Sequence, residues 1–478
     1  MEPLGFIVAG RELQEGEAWE IRAPYDEQGL GVVYRTPRSR VEEALQRARE
    51  AYDRRLLEIP KHQKIAILES LVQLLRRHRE DLARLIAQEV AKPLKWAYGE
   101  VDRAINNTQS ALGFLMDLRY EALPLDFTPV ATGKFGVVRR FPVGPVLAIT
   151  PFNFPLNLPL HKVLPALVAG TPLILKPAPQ APLTGLRLGH LLLEAGWPPE
   201  ALSVITPSNE DAEAAVRDPR VALLTFTGSA RVGWHLKQIT AARRVLLELG
   251  GNAAVVVEPD ADLQKAAHKV AVGGFAYAGQ VCISVQRVLV HRQVYAVFRD
   301  LLLKEVHQLR AGDPLDPEVD LSAMISDREA DRAWSWVQEA LDQGARAHPA
   351  PPRRQGRLLE PVVLEQVPEH LRVWNEEVFA PVVVLRSYET FEEALDLVNR
   401  SAYGLQAGVF TRDFARAWQA FERLEVGGVI LNDSPTFRVD PMPYGGAKRS
   451  GLGREGIRYA YEEYTEPRLL VFKVPEAS

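Results

Sequence analysis

The feature that most restricts the fold is a succession of short apolar runs, each stopped by Pro or Gly and separated by helical pattern. VGPVLAITPFNFP, TPLILKPAP, ALSVITP, VALLTFTGS and RRVLLELGG follow one another between residues 143 and 251. Between them PLNLPLHKVLPALVAG, RLGHLLLEAGW and ARVGWHLKQITA carry helical spacing. A strand that is apolar throughout needs cover on both faces, the situation of parallel strands between helices. The alternation therefore predicts a doubly wound, Rossmann-like α/β sheet.

A second series starts at NAAVVVEPDADLQKAA and runs through QRVLVHRQVYAVFRDLLL, PVVLEQV, APVVVLRSY, FEEALDLVN, AGVFTRD, FARAWQAFERL and GGVILND. It predicts a second α/β unit. Upstream, residues 40–120 have apolar residues at three- and four-residue spacing, as amphipathic helices do. FGVVRRFPVG and the tail TEPRLLVFKVPEAS read as strands that leave the body as edge strands. The expected division is a nucleotide-binding domain over 1–120 and 143–249, and a catalytic domain over 250–458. A small β oligomerisation arm completes it, over 121–142 and 459–478. At 478 residues the chain is too long for one core.

The formal charge is −4, with no block of like charge, so no nucleic-acid partner is expected. No apolar stretch is long enough to span a bilayer, and the N-terminus lacks a basic start, so a cytoplasmic protein without membrane contact is expected. The single cysteine can form neither an internal disulfide nor a cysteine-rich metal centre, and the ten histidines show no paired spacing. No metal is expected.

Several polar residues sit where chemistry could use them. Cys282, in GQVCISV, lies between a glycine-rich turn and a strand; a lone cysteine is more often inert core filler, and a nucleophile needs a base or a lowered pKa. Glu248 ends an apolar strand, where burial would raise its pKa into the range of a general base, although taken alone a solvated strand-end carboxylate is the favoured reading. Asn153, between two phenylalanines, either caps a turn or offers its amide to an oxyanion. Lys176 ends a strand at the carboxyl edge, where doubly wound sheets bind ligands. Gly228, Ser229 and Gly233 make a strand–turn–helix able to receive a phosphate at a helix N-terminus.

Taken together, TPFNFP, LILKP, FTGS followed by VG, LELGGN, GQVC, EEVFAPV and YGGAKRSGLGRE resemble the aldehyde dehydrogenase superfamily, in its order and spacing, over residues 20–475. The resemblance implies roles. Cys282 would attack the aldehyde carbon, with Asn153 and the backbone N–H of Cys282 holding the oxyanion. Glu248 would activate the water that hydrolyses the thioester. Lys162 and Glu466 match positions associated with proton relay. NAD or NADP would lie along Thr150, Pro151, Phe152, Lys176, Pro179, Gly228, Ser229, Gly233 and Leu249. Glu377 and Phe379 would hold its nicotinamide end. Phe154, Arg438 and Tyr444 would face a small-molecule aldehyde, and homodimers or homotetramers are implied.

Glu248 favours hydrolysis to a free acid over transfer to coenzyme A or reduction of an acyl phosphate, and over a catalytically silent relative. Two positions depart from the commonest pattern. Pro179 stands where NAD-preferring members often carry an acid, so nothing there repels a 2′-phosphate. Arg438 stands where oxidisers of simple aldehydes tend to place an aromatic residue. The loop resembles that of the branch acting on lactaldehyde, glyceraldehyde derivatives and phosphonoacetaldehyde. An arginine fork suits an acidic or hydroxyl-rich substrate; pairing with Asp440 or pointing to solvent is the alternative.

Overall fold

The computed structural model describes residues 3–473. Five of the apolar runs form parallel strands, in spatial order Leu202–Val204, Leu173–Lys176, Val146–Ile149, Leu223–Thr227, Arg244–Glu248. Chain order across this sheet is 3-2-1-4-5, so the switch point lies between Val146–Ile149 and Leu223–Thr227. Every residue of Val146–Ile149, Leu173–Lys176 and Leu223–Thr227 is buried. That is why these runs lack polar alternation.

The second series forms a seven-stranded sheet. Its order is Arg346–His348, Val362–Glu365, Val382–Tyr388, Val285–His291, Ala253–Val257, Gln406–Phe410, Gly428–Leu431, antiparallel only at the first edge. Its helices start where side chains can satisfy free N–H groups. Asp262, Ser326, Thr390 and Asp413 each accept from the first turn of the helix that follows.

FGVVRRFPVG and the tail pair with one another. Thr465–Lys473 runs antiparallel to Lys134–Pro142 over nine residue pairs, and Glu121–Pro124 completes a three-stranded arm. The last five residues of the expected arm lie outside the described residues. The expected boundary at 458 falls inside helix Ile457–Tyr464. Just before that helix, Gly451–Leu452 adds antiparallel to Arg244–Glu248, so the chain returns to the first sheet before entering the arm.

The strands of the N-terminal segment were not legible, among them the antiparallel pair Ala18–Arg22 and Gly29–Tyr34. GFIVAGREL forms a hairpin, Phe6–Val8 against Arg11–Leu13, on the edge of the first sheet. Its turn places Ala9 at φ 47° and Gly10 at φ 75°, the two positive φ angles of a tight hairpin turn. Ala-Gly announces that turn far more weakly than Asn-Gly. Among the described residues no helix is long and apolar enough to cross a membrane.

Candidate active site

Glu248, at the carboxyl end of the last parallel strand, is followed by Gly250 and Gly251, and both glycines are needed for close approach. A Cβ on Gly250 would lie 2.0 Å from Glu377 Oε2, and one on Gly251 would lie 2.6 Å from the carbonyl oxygen of Cys282. The Gly251 N–H donates to Glu377 Oε1 at 3.1 Å. The LELGGN turn thus brings Glu248, Glu377 and Cys282 together from residues 248, 377 and 282 of the chain.

Cys282 sits just before Val285–His291, half-buried. Loss of water pushes its thiol up to about 11, against the pull of the Tyr444 hydroxyl and of Arg438. Tyr444 Oη lies 3.0 Å from Sγ. Glu248 is buried and neither carboxyl oxygen has a hydrogen-bond partner among the described residues. Burial, then the charge of Glu455, raises it well above the ordinary carboxylate range. Asn153 is buried, and its Nδ2 donates to the Gln280 carbonyl at 2.9 Å. That bond, to the residue two before Cys282 in the chain, fixes the amide and leaves its second N–H without a hydrogen bond among the described residues.

The side facing the first sheet suits a dinucleotide. Lys176 is buried, and burial with Arg35 nearby lowers it to about 8. A largely buried cation that lines a cavity fits a site completed by a polar ligand. Lys176, Pro179, Arg35, Trp19 and Thr206 line one small cavity with no carboxylate on its wall. Ser229 caps helix Ala230–Ile239, whose N-terminus faces the switch point. The hydroxyls of Thr150 and Thr227 are buried without partners at the same edge. Gly233 serves packing instead: a Cβ there would meet Leu249 at 2.3 Å. Pro151 continues the turn between Thr150 and Phe152. Phe152 and Phe379 meet edge to face at 6.1 Å, and Phe379 is held at φ 50°. Burial raises Glu377 to about 7.

The other side of the thiol is a charged network. Lys162 is fully buried and donates to Glu455 Oε1 and Thr225 Oγ1, both at 3.1 Å. Arg438 Nη2 donates to Glu455 Oε2 at 3.0 Å and approaches His161 Nε2 at 3.1 Å. Its guanidinium lies 3.6 Å above the Tyr444 ring. Asp440 accepts from Arg103 at 2.8 Å and from Asn157 at 3.1 Å, and meets His161 at 2.9 Å. Burial and then Arg438 push His161 below its ordinary pKa. Phe154 closes the wall, with Lys92 3.7 Å from its ring centre and Arg103 5.9 Å from it.

Two expectations are corrected. Glu466 is not at the site: it lies on the arm strand Thr465–Lys473, half-buried, bonded to Arg468 at 2.8 Å. Glu455 stands beside Lys162 instead. It belongs to the same YGGAKRSGLGRE segment, and its backbone pairs with that of Tyr444. Arg438 neither pairs with Asp440 nor points to solvent, because Arg103 takes Asp440 and Glu455 takes Arg438. Arg103, His161 and Asp440 were missed as a group; they are 337 residues apart in sequence at the widest, and no local pattern joins them.

A nucleotide-binding sheet whose carboxyl edge faces a thiol, a fixed amide and a buried carboxylate defines a nicotinamide-linked dehydrogenase that works through a covalent thioester. The chain belongs to the aldehyde dehydrogenase family, whose model matches residues 12–470. It is 38% identical over 471 residues to a 3-sulfolactaldehyde dehydrogenase of Priestia megaterium, covering 98% of each chain. Aldehyde dehydrogenase 21 of Physcomitrella patens, in complex with its reaction product succinate, superposes with TM-score 0.94 at 37% identity, covering 99% of this chain and 98% of that one. An NADP-dependent glyceraldehyde-3-phosphate dehydrogenase of Bacillus halodurans, complexed with NADP, gives TM-score 0.96 at 33% identity, covering 99% and 100%. Solved members of the family hold NADP or NAD. The protein is an NAD(P)-dependent aldehyde dehydrogenase that oxidises small aldehydes to acids.

Proposed function

We propose that the substrate is a small aldehyde carrying a negative charge at its far end: a carboxylate, sulfonate or phosphate. The observation that carries this reading is a pair of arginines whose Nε–H groups are buried without acceptors, those of Arg103 and Arg438. An unsatisfied buried donor costs about 1–3 kcal/mol, more when charged, and an anion placed between the two forks relieves both. Asp440 and Glu455 balance part of the charge but leave these donors free. The names of the relatives support the reading, since sulfolactaldehyde, succinate and glyceraldehyde-3-phosphate all carry such an anion. Comparing kcat/KM for succinic semialdehyde and butanal tests it. A preference of ~100-fold or more for the acid is expected from two charge-assisted contacts, and a preference for butanal would overturn the reading.

In this proposal Cys282 attacks the carbonyl carbon, and the free Asn153 N–H with the Cys282 backbone N–H hold the oxyanion. The bound nicotinamide supplies the hydride acceptor. Lys176 and the Ser229 helix N-terminus hold its adenosine and phosphate end, and Glu377 and Phe379 orient the other. Glu248 then takes a proton from the water that opens the thioester, and Lys162 with Glu455 offers that proton a buried route. With two cations and no acid at the Lys176 cavity, NADP binds at least as well as NAD. Titration of the two cofactors by protein fluorescence checks this.

The arm supports a homodimer or homotetramer. Leu469, Leu470, Val471 and Phe472 are 40–58% exposed on the edge strand of the three-stranded sheet. Such an edge invites a second copy. Light scattering behind a sizing column gives the subunit count.

A further inference from the structure

Tyr444 is the one side chain that touches the sulfur of Cys282 with a polar atom among the described residues, at 3.0 Å. A phenylalanine would fill the same space, so the hydroxyl calls for a reason. We propose that Tyr444 is a catalytic residue that donates its phenolic proton to the sulfur and stabilises the attacking thiolate; this rests on Cys282 being the nucleophile.

Three observations set the direction of the bond. Burial raises Tyr444 well above the ordinary phenol range, so the phenol keeps its proton and donates. The Arg438 guanidinium, 3.6 Å above the ring, strengthens that O–H as a donor. Arg438 itself is held by Glu455, and Tyr444 is tied to Glu455 by two backbone hydrogen bonds, Tyr444 N–H to Glu455 O at 3.1 Å and the reverse at 2.6 Å. The ring, the cation and the carboxylate therefore move as one unit.

The stabilisation is needed because everything else works against a thiolate. Besides Tyr444, the charged groups facing the sulfur are Arg438, which favours the anion, and Glu377 and Glu248, which oppose it. Burial opposes it most. The step is simple: the S–H proton leaves to water in the cleft, and the phenol donates to the resulting anion. When sulfur bonds the carbonyl carbon, its charge passes to the oxygen held by Asn153, and the phenol is released.

Cys282 is the only cysteine, so alkylation reports it alone. The test is the rate of iodoacetamide inactivation against pH for the cofactor-free full chain and for Tyr444→Phe. A hydrogen bond to a charged group shifts a pKa by about one to two units, so the midpoint of the variant is expected to rise by that much. Above the midpoint the variant reacts no slower, and about threefold faster per pKa unit, because a more basic thiolate is the better nucleophile. A role in packing alone would lower the plateau or leave the midpoint in place, and either result overturns the proposal. Thiolate absorbance at 240 nm, taken as the difference from Cys282→Ala in each background, gives the same midpoint without a reagent. The outcome does not depend on which aldehyde the enzyme prefers.

Discussion

Arg438 and Glu455 form a buried ion pair, Nη2 to Oε2 at 3.0 Å, and the same carboxylate holds Lys162 through its other oxygen. One carboxylate thus anchors both Arg438 and Lys162. Breaking a buried pair leaves an uncompensated charge and costs about 3–5 kcal/mol. Glu455→Gln is expected to lower stability by roughly 3 kcal/mol and to lower kcat. Glu466→Gln, on the exposed arm, should change kcat by less than about twofold, in keeping with the small worth of surface pairs. Urea denaturation and steady-state rates on both variants check this contrast.

Asn153 donates one N–H to the Gln280 carbonyl, and in the proposed reaction the second meets the oxyanion. Removing an oxyanion donor costs about 10²–10³ in kcat. Asn153→Ala should show that loss with a smaller change in KM. An unchanged kcat would remove Asn153 from the reaction.

Glu248→Gln should separate the two half-reactions. A rapid-mixing trace at 340 nm is expected to show one equivalent of reduced cofactor per active site and then almost no turnover. In the wild type the proton on Glu248 is retained to unusually high pH by burial and by Glu455. The base form therefore grows as pH rises, and steady-state turnover should climb with pH while the burst amplitude of Glu248→Gln stays at one equivalent.

Glu377 gives a sign for stability against pH. Its ordinary pKa is 4.5, and burial raises it to about 7 in the folded chain. Between these values the folded state holds the extra proton, so its contribution is full below the lower value and lost as pH rises through the upper. The melting temperature of the cofactor-free enzyme should fall between about pH 4.5 and about pH 7, and Glu377→Gln should reduce that fall.

Gly250→Ala places a methyl 2.0 Å from Glu377 Oε2. The carboxylate must move, and affinity for the cofactor should drop about tenfold or more, as a displaced charge-assisted bond predicts. Fluorescence titration measures it, and an unchanged Kd would show that Glu377 does not hold the ligand.

Local order was legible in the residues themselves. Buried parallel strands declare themselves as unbroken apolar runs, and the motifs around Asn153, Lys176, Gly228 and Glu248 end or follow strands, where a doubly wound sheet gathers its ligands, while Cys282 and Glu377 come just before strands of the second sheet. The N-terminal hairpin escaped because Ala-Gly is a poor signal for its turn. Glu466 was expected at the site and Glu455 was not considered, because spacing along a chain does not say which carboxylate turns inward; the return of Gly451–Leu452 to the first sheet brings Glu455 there.

The sequence by itself determined the strands, the helices, the thiol and the base, because each depends on neighbours a few residues away. Tertiary structure alone decided the partners: Arg103 with Asp440, Arg438 with Glu455, and Tyr444 with Cys282. Those pairs join helix Leu94–Asp117 to loops that follow or precede strands of both sheets, and only the folded chain brings their charges into a common volume from which water is excluded.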